Sequence, residues 1–271
     1  MYTMGLDIGS TATKGVIIKN GSDIMATAVI FSGVGLTASS DVVNEMFESL
    51  KCTRKDIDKL VVTGYGRMKY QGSDKQISEL SCHTKGVKFL VPSVRTIIDI
   101  GGQDMKVIKV DVDGSLLNFT MNDKCAAGTG RFLEVMAKVL GVNVNDLGEL
   151  SKKARQKVQI SNTCTVFAES EVISHLSNEV SVEDIIAGIS ISVATKVASL
   201  ARRVGIVNDV VMVGGVAKNS GIVSALEMEL GGKIIVPQFV QHTGALGAAL
   251  YAFEEKQKRQ NGIGGRKWAR N

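Results

Sequence analysis

Two similar stretches set the organisation of this chain, Gly5-Leu6-Asp7-Ile8-Gly9-Ser10 and Ile97-Ile98-Asp99-Ile100-Gly101-Gly102. In each stretch an aspartate stands two residues before a glycine, and a second β-rich segment follows. The order strand, glycine turn, strand predicts a β-hairpin. It differs from the strand-to-helix turn of a P-loop or a dinucleotide-binding fold. The recurrence predicts an internal duplication of one hairpin unit, and therefore two lobes.

The composition is that of an ordinary globular protein with room for two modest cores, since 44% of the 271 residues are hydrophobic and 22% are charged. The formal charge is +5, but residues 254–271 alone carry six Lys or Arg and two Glu. The rest of the chain is nearly neutral, which argues against nucleic-acid binding. The start has no signal-peptide pattern, and we expect that no stretch approaches the length of a membrane span. We therefore expect a cytoplasmic protein without a membrane partner.

The lobe boundaries follow from periodicity and turn signals. We predict a first lobe at 1–92 that is completed by a C-terminal helix at 243–256, a second lobe at 93–242 and a basic flexible tail at 257–271. Apolar spacing predicts helices at 41–50, 75–87, 131–140, 165–176 and 183–204.

The two predicted hairpin turns have residues suited to phosphate binding. Glycine and hydroxyl residues allow backbone amides to approach phosphate oxygens closely. Asp7 and Asp99, one at the end of each first strand, are candidates to hold Mg²⁺ through water. A third element, the segment 210–219, reads as a strand followed by a Gly214-Gly215 turn and a helix start.

The two hairpins and the 210–219 turn together resemble the actin, hexokinase and chaperone ATPase superfamily. The resemblance implies an α/β fold of two ribonuclease-H-like lobes with ATP and Mg²⁺ in the cleft between them. It also implies that Gln103 or Asp104 orients the attacking water. The ATP-binding residues implied by the resemblance are Gly9, Ser10, Thr11, Ala12, Thr13, Lys14, Gly101, Gly102 and Gln103, together with an adenosine turn that contains Gly214, Gly215, Lys218 and Asn219.

Two of the four cysteines stand in distinctive surroundings. Cys125 lies in the segment 122–131, where two glycines precede a helical pattern, and Cys164 follows three residues of helix-capping type. These patterns place both cysteines at helix starts, where the macrodipole favours a thiolate. Taken alone, Cys125 is better interpreted as a small, buried, inert residue, because most lone cysteines are of that kind.

The segments 121–132 and 161–174 resemble those of the activators of 2-hydroxyacyl-CoA dehydratases, and the similarity spans roughly residues 1–255. The resemblance implies a homodimer with one [4Fe-4S] cluster held by Cys125 and Cys164 of each chain. The ligand count agrees, because a cluster normally takes four cysteines and these two thiols supply half. The implied activity is ATP-driven transfer of one low-potential electron to the dehydratase, with a ferredoxin or flavodoxin as donor.

The segment Gly128-Thr129-Gly130 is the predicted joint between the two chemistries, contacting phosphate on one side while Cys125 holds iron on the other. We expect the remaining cysteines and the three histidines to be structural, because they lack that glycine and capping context and have no zinc-type spacing. These residues are Cys52, Cys82, His83, His175 and His242.

Other functions remain open on the same fold. A benzoyl-CoA-reductase ATPase subunit is a close relative of the activators. A small-molecule kinase for acetate, a sugar or an amino sugar predicts a colourless protein that phosphorylates a hydroxyl compound. An actin-like nucleotide-gated regulator or a chaperone predicts cysteines that only pack. The colour of an anaerobic preparation separates the last two from an iron–sulfur protein.

Overall fold

The computed structural model describes residues 1–31, 36–122 and 124–260. Within these ranges the chain divides into two compact units. The first comprises Met1–Phe89 and the C-terminal segment that begins at His242, and the second comprises Leu90–Gln241. Each unit is built around one five-stranded sheet with helices packed on it.

The sheet of the first unit has the strand order β3-β2-β1-β4-β5. The first three strands are antiparallel neighbours, and β4 and β5 join in parallel. Its strands are β1 (Tyr2–Ile8), β2 (Thr13–Lys19), β3 (Asp23–Ile30), β4 (Lys59–Thr63) and β5 (Lys75–Gln76). Its helices are α1 (Leu36–Leu50), α2 (Glu79–Leu90) and α8 (Thr243–Gln260).

The sheet of the second unit repeats this order as β8-β7-β6-β9-β10. Again three antiparallel strands are followed by two parallel ones. The strands are β6 (Thr96–Ile100), β7 (Met105–Val110), β8 (Leu116–Asn122), β9 (Val210–Val213) and β10 (Ile234–Ile235). The helices are α3 (Gly130–Leu140), α4 (Leu147–Ser151), α5 (Thr165–Ser177), α6 (Val182–Val204) and α7 (Ser220–Leu230).

The internal duplication predicted from the hairpins extends to the whole sheet. Residues Ile8 and Thr13 close the first hairpin, and Ile100 and Met105 close the second, so that both turns contain four residues. Equal topology and equal turn length place Asp7 and Asp99 at corresponding positions.

Helix α8 covers the first sheet through small residues. The Thr3 hydroxyl donates to the Ala249 carbonyl over 3.0 Å. A side chain at Gly5 would collide with the Ala245 carbonyl and the Ala249 amide. The alanines and glycines of α8 therefore allow the helix backbone to lie directly on β1, which is why the C-terminal segment completes the first unit.

Three sequence-based expectations need correction. The predicted helix 75–87 begins only at Glu79 and runs to Leu90, because Lys75 and Gln76 form β5 at the sheet edge. The last helix continues to Gln260, so the predicted flexible tail is wrong for 257–260, and 261–271 lie outside the described residues.

The third correction concerns α6, whose 23 residues are long and apolar enough to pass a membrane-span test by length and composition. The expectation that no stretch approached that length was wrong. In its most apolar window 78% is buried inside the protein. Such burial is typical of a core helix, and α6 forms the centre of the second hydrophobic core.

Candidate functional site

The turn of the first hairpin is tight. The Gly9 amide donates to the Ala12 carbonyl over 3.1 Å, and β2 begins at the next residue, Thr13. An added Cβ at Gly9 would stand 2.8 Å from that carbonyl and 3.1 Å from the Lys14 Nζ atom. A side chain at Gly9 would therefore displace these atoms, and Ser10 and Thr11 lie half-buried at the tip of the turn.

Polar groups are buried beneath that turn with unmet hydrogen-bonding capacity. Asp7 is 2% exposed and Thr13 is fully buried. One Asp7 oxygen, Oδ2, lies 3.4 Å from Lys14 Nζ. The other oxygen, Oδ1, and the Thr13 hydroxyl have no hydrogen-bond partner within the described part of the chain. Buried polar atoms without partners are unfavourable, so a polar ligand or hydrated cation fits this position.

The second hairpin repeats this arrangement and adds a second carboxylate to the ion pair. The Gly101 amide donates to the Asp104 carbonyl over 2.9 Å. Lys106, 3% exposed like Asp99, places its Nζ atom 3.6 Å from Asp99 and 2.7 Å from the Asp104 carboxylate. Asp104 is thus held within the hairpin, whereas Gln103 is exposed at the tip of the turn. Of the two predicted water-orienting residues, Gln103 has the more accessible side chain.

A glycine with positive φ follows the fourth strand of each sheet and packs on the aspartate. Gly64, at φ +89°, follows β4, and an added Cβ would collide with Asp7 Oδ1. Gly214, at φ +86°, follows β9, and its Cβ would lie 2.7 Å from Asp99 Oδ1. The predicted adenosine turn at 214 therefore has a counterpart at 64. Each glycine supports the carboxylate of its own unit.

The other residues of the predicted adenosine turn adopt different roles. Gly215 to Lys218 form a 3₁₀ turn, with Gly215 and Lys218 exposed. The Asn219 side chain accepts the Ile222 amide over 3.1 Å and caps α7. The cap fixes Asn219, and Gly215 and Lys218 remain accessible to a ligand.

The start of α3 is hydrogen-bonded to the second hairpin turn. The Gly130 amide donates to the Gly101 carbonyl over 2.9 Å, and the Arg131 amide donates to the Gly102 carbonyl over 2.8 Å. The amide and hydroxyl of Thr129, the α3 N-cap, both donate to Ala126. The amides of Thr129 and Gly130 therefore already have acceptors within the protein. The predicted joint at 128–130 is hydrogen-bonded to the turn of the second hairpin.

Cys125 is not at the helix start. The α3 N-cap is Thr129, four residues later, and a turn from Ala126 to Thr129 intervenes. The expectation was wrong because the glycine-rich run forms that turn, with Gly128 at φ +89°, before the helix begins. Cys125 is instead half-buried in the loop after β8.

Cys164 does lie at a helix start. It is the N-cap residue of α5, in an extended conformation, and its carbonyl accepts the Ala168 amide over 3.1 Å. Its thiol is free and half-buried. The first amides of α5 and the positive end of the helix dipole favour a bound anionic group beside this position.

The second unit brings the two cysteine loops together. The Cys125 thiol contacts the carbonyl of Thr163, the residue before Cys164, with an Sγ–O distance of 3.7 Å. The Lys196 Nζ atom lies 3.3 Å from Cys125 Sγ and 3.0 Å from the Asn162 carbonyl. Two accessible free thiols on adjacent loops, with a cation beside them, suit thiolate ligation of a soft metal centre.

The other cysteines have raised pKa values. Burial raises the pKa of Cys82 to about 12. Burial, and then the Asp56 carboxylate, raise the pKa of Cys52. Both thiols are therefore poorly suited to ligate a metal as thiolates.

The histidines have local hydrogen-bond contacts, through the ring in His83 and His175 and through the backbone carbonyl in His242. His175 Nε2 lies 3.2 Å from the Gln159 carbonyl, and the His242 carbonyl accepts the Leu246 amide at the start of α8. His83 Nδ1 lies 3.0 Å from the Thr243 hydroxyl. An added Cβ at Gly244 would lie 3.1 Å from His83 Nε2 and 3.0 Å from Asp7 Oδ2, so His83 is close to the candidate site.

Sequence reasoning missed Lys106, Lys196 and Gly64. Lys106 had a detectable signal, because it stands seven residues after Asp99 as Lys14 stands seven after Asp7. Gly64 follows a strand as Gly214 does. Lys196 lies in the middle of a long apolar helix, far from either cysteine in sequence, and no local pattern marks it.

The chain matches the model of the BadF/BadG/BcrA/BcrD ATPase family over residues 4–252. It is 62% identical over 263 residues to the 2-hydroxyisocaproyl-CoA dehydratase activator of Clostridioides difficile, covering 97% of this chain and 99% of the relative. It is 53% identical over 259 residues to the (R)-2-hydroxyglutaryl-CoA dehydratase activating ATPase of Acidaminococcus fermentans, covering 95% and 99%.

Solved structures agree with this placement. The activator of the 2-hydroxyisocaproyl-CoA dehydratase from Clostridium difficile with bound ADPNP superposes with a TM-score of 0.94 at 61% identity, covering 98% of this chain and all of that one. A ROK family glucokinase from Streptomyces griseus, at 12% identity and a TM-score of 0.56, shares the fold alone. The predicted actin/hexokinase-type fold and the resemblance to the dehydratase activators are confirmed, and the chain belongs to the BadF/BadG/BcrA/BcrD ATPase family.

Proposed function

We propose that this protein is an ATP-dependent activator that passes one low-potential electron to a 2-hydroxyacyl-CoA dehydratase. Two copies share one [4Fe-4S] cluster through Cys125 and Cys164 of each chain. The observation that carries the proposal is the meeting of the two cysteine loops, with Cys125 Sγ 3.7 Å from the Thr163 carbonyl. When bound, such a cluster stores and releases single electrons at low potential.

The nucleotide half of the proposal rests on the two hairpins. The turns 9–12 and 101–104 receive the phosphates, and the accessible Gly214-Gly215 turn and Lys218 receive the adenosine. Asp7 and Asp99 hold Mg²⁺ through water. Lys14 and Lys106 supply positive charge beside them. This division leaves Gln103 to orient the attacking water.

The hydrogen bonds between the second hairpin turn and α3 support coupling between nucleotide and iron. A displacement of the Gly101-Gly102 turn changes the acceptors of the Gly130 and Arg131 amides. The start of α3 lies only five residues after Cys125 in the chain. Nucleotide state and the position of Cys125 are therefore linked, and by reciprocity docking of the dehydratase biases the affinity for nucleotide. This role replaces phosphate contact as the function of Thr129 and Gly130.

The electron balance is simple. A reduced ferredoxin or flavodoxin loses one electron, the dehydratase gains one, and ATP and water become ADP and phosphate. The two cysteine loops would hold the cluster that lies between the electron donor and the dehydratase in this transfer. The reaction takes place in the cytoplasm and involves neither nucleic acid nor a membrane.

The dehydratase is favoured as partner over an acyl-CoA reductase, because the relatives at 62% and 53% identity are named as dehydratase activators. The test is an anaerobic assay with purified 2-hydroxyacyl-CoA dehydratases, ATP and a strong reductant. We expect formation of 2-enoyl-CoA that stops when ATP or this protein is omitted. Phosphorylation of a sugar or of acetate, with no dehydratase activation, would instead identify a kinase.

A further inference from the structure

Helix α6 presents a row of four residues to the segment that leads to Cys164. The row contains Asp184, Gly188, Ser192 and Lys196. Residues four positions apart lie on one face of a helix. All four members contact the chain between the end of α4 and the start of α5, which has no regular secondary structure of its own.

The first two members fix the beginning of this segment. Asp184 Oδ1 accepts the amides of Arg155, at 2.7 Å, and Gln156, at 2.9 Å. These backbone hydrogen bonds, the Gln156 amide first, hold the pKa of Asp184 below its usual range. A side chain at Gly188 would collide with the Val158 carbonyl, so glycine allows the segment to lie on the helix.

The last two members fix its end. The Ser192 hydroxyl donates to the Ser161 carbonyl over 3.1 Å. Lys196 Nζ donates to the Asn162 carbonyl over 3.0 Å and reaches Cys125 Sγ at 3.3 Å. One ammonium group therefore joins the loop of one cysteine to the loop of the other.

The contacts of Lys196 place its charged Nζ atom next to the Cys125 thiol. Its Cδ atom lies 3.4 Å from the position of an added Cβ at Gly128, so its stem passes under the glycine turn. In the described ranges of the chain Lys196 forms no ion pair with a carboxylate. Lys196 therefore places a partly buried positive charge directly beside the sulfur atom of one candidate cluster ligand and beside the loop that leads to the other.

From this geometry we infer that Lys196 is a positioning residue that fixes Cys125 and Cys164 in one arrangement and raises the reduction potential of the cluster. The inference rests on the proposed function. A positive charge near a cluster stabilises its reduced form, and a hydrogen bond to a ligand sulfur acts in the same direction.

The test compares Lys196→Met, Lys196→Gln and Lys196→Arg with Lys138→Met, a matched loss of an exposed lysine on α3. Redox titrations followed by electron paramagnetic resonance measure the midpoint potential, and transfer of iron to a chelator measures retention. We expect a lower potential in the Met and Gln variants and a value near that of the unchanged protein in the Arg and Lys138 variants. We expect iron loss about 10-fold faster in the Met variant.

A purely structural lysine would change retention but not potential. If the loaded Met variant has the same potential as the unchanged protein, the inference is wrong. Should that variant fold poorly, the Gln variant decides, because it keeps a hydrogen-bond donor without the charge. The inference requires the midpoint potential of the Gln variant to be lower than that of the unchanged protein.

The two proposals fail in different ways. An unchanged protein that binds no iron contradicts the proposed function. The tether itself can be measured without iron, because hydrogen exchange of residues 124–129 and 157–164 should be faster in iron-free Lys196→Met than in iron-free Lys138→Met. Equal exchange rates would contradict the tether.

Discussion

The amide of Gly130, the first residue of α3, donates a 2.9 Å hydrogen bond to the carbonyl of Gly101 in the turn of the second hairpin. The Arg131 amide makes the matching bond to Gly102. Helix N-termini usually leave such amides for a capping side chain, water or an anion. In this protein they join a candidate phosphate turn to the helix that follows Cys125.

We predict that Gly130→Ala weakens this junction. Alanine normally stabilises a helix relative to glycine, by up to about 1 kcal/mol. At this position, however, its Cβ would stand 3.2 Å from Gly102 Cα and 3.3 Å from the Gly101 carbonyl. We expect a net loss of about 1–2 kcal/mol in the free energy of unfolding and a smaller effect of ADP or ATP on the spectrum of the cluster.

The control is Gly232→Ala, because an added Cβ there meets nothing within 4 Å. It should leave both the stability and the nucleotide response nearly unchanged. A Gly130→Ala protein with the full nucleotide response would show that the coupling does not run through this junction.

The paired glycines after β4 and β9 predict matched losses of stability. Gly64→Ala and Gly214→Ala each impose a strained φ and a collision with backbone and aspartate atoms. We expect each to cost about 2–4 kcal/mol, the sum of roughly 1 for the conformation and 1–3 for overpacking. Gly72→Ala has a similar φ of +88° with nothing within 4 Å, so it should cost only about 1 kcal/mol in a denaturant titration. Equal losses at all three positions would contradict the packing argument.

The buried hydroxyl of Thr13 predicts opposite effects on stability and binding. Thr13→Val removes an unpartnered polar atom, so we expect the nucleotide-free protein to become more stable by about 1 kcal/mol. ATP affinity, measured by calorimetry, should fall because the hydroxyl is reserved for the ligand.

Thr96→Val is the comparison for this prediction. Thr96 is buried as well, but its hydroxyl donates to the Val207 carbonyl at 2.7 Å and accepts the Val207 amide at 2.9 Å. That variant should lose about 1–3 kcal/mol. A Thr13→Val protein with lower stability and normal ATP affinity would contradict this prediction, because the hydroxyl would then stabilise the fold and not bind the ligand.

The sequence was sufficient for the fold because its strongest signals are local. The two Asp-Ile-Gly hairpins, closed at Ile8 and at Ile100, imply the duplication from which both sheets follow. Sequence-based prediction failed where contacts between distant residues decide the secondary structure. Lys75 and Gln76 have the spacing of a helix, yet pairing with Val61 and Val62 makes them a strand.

The cysteine region illustrates the same limit. The position of Cys164 was predicted correctly, because residues of helix-capping type directly precede it and α5 begins at the next residue. Cys125 was misplaced because the glycine run forms a turn before α3, which no helical periodicity reveals. The contact of Lys196 with Cys125 could not be predicted from the sequence. The two residues are 71 positions apart, and they meet only in the folded second unit.

The thiols should differ in reactivity with pH. Because burial raises the pKa of Cys82 to about 12, this thiol stays protonated below that pH in the folded protein and should not be alkylated at pH 8. Mass spectrometry of iron-free protein should find Cys125 and Cys164 modified first, with Cys82 modified only after unfolding. Rapid labelling of Cys82 at pH 8 would contradict its placement in the core.

The most direct measurement is the iron and acid-labile sulfide content of anaerobically purified protein, per two chains, for the unchanged protein and for Cys125→Ser, Cys164→Ser and Cys52→Ser. We expect about four irons and four sulfides per dimer. We expect the spectrum to be retained in Cys52→Ser and the iron to be lost in either of the other variants. A full complement of iron in Cys125→Ser or Cys164→Ser, or a cluster in the monomer, would contradict the shared cluster.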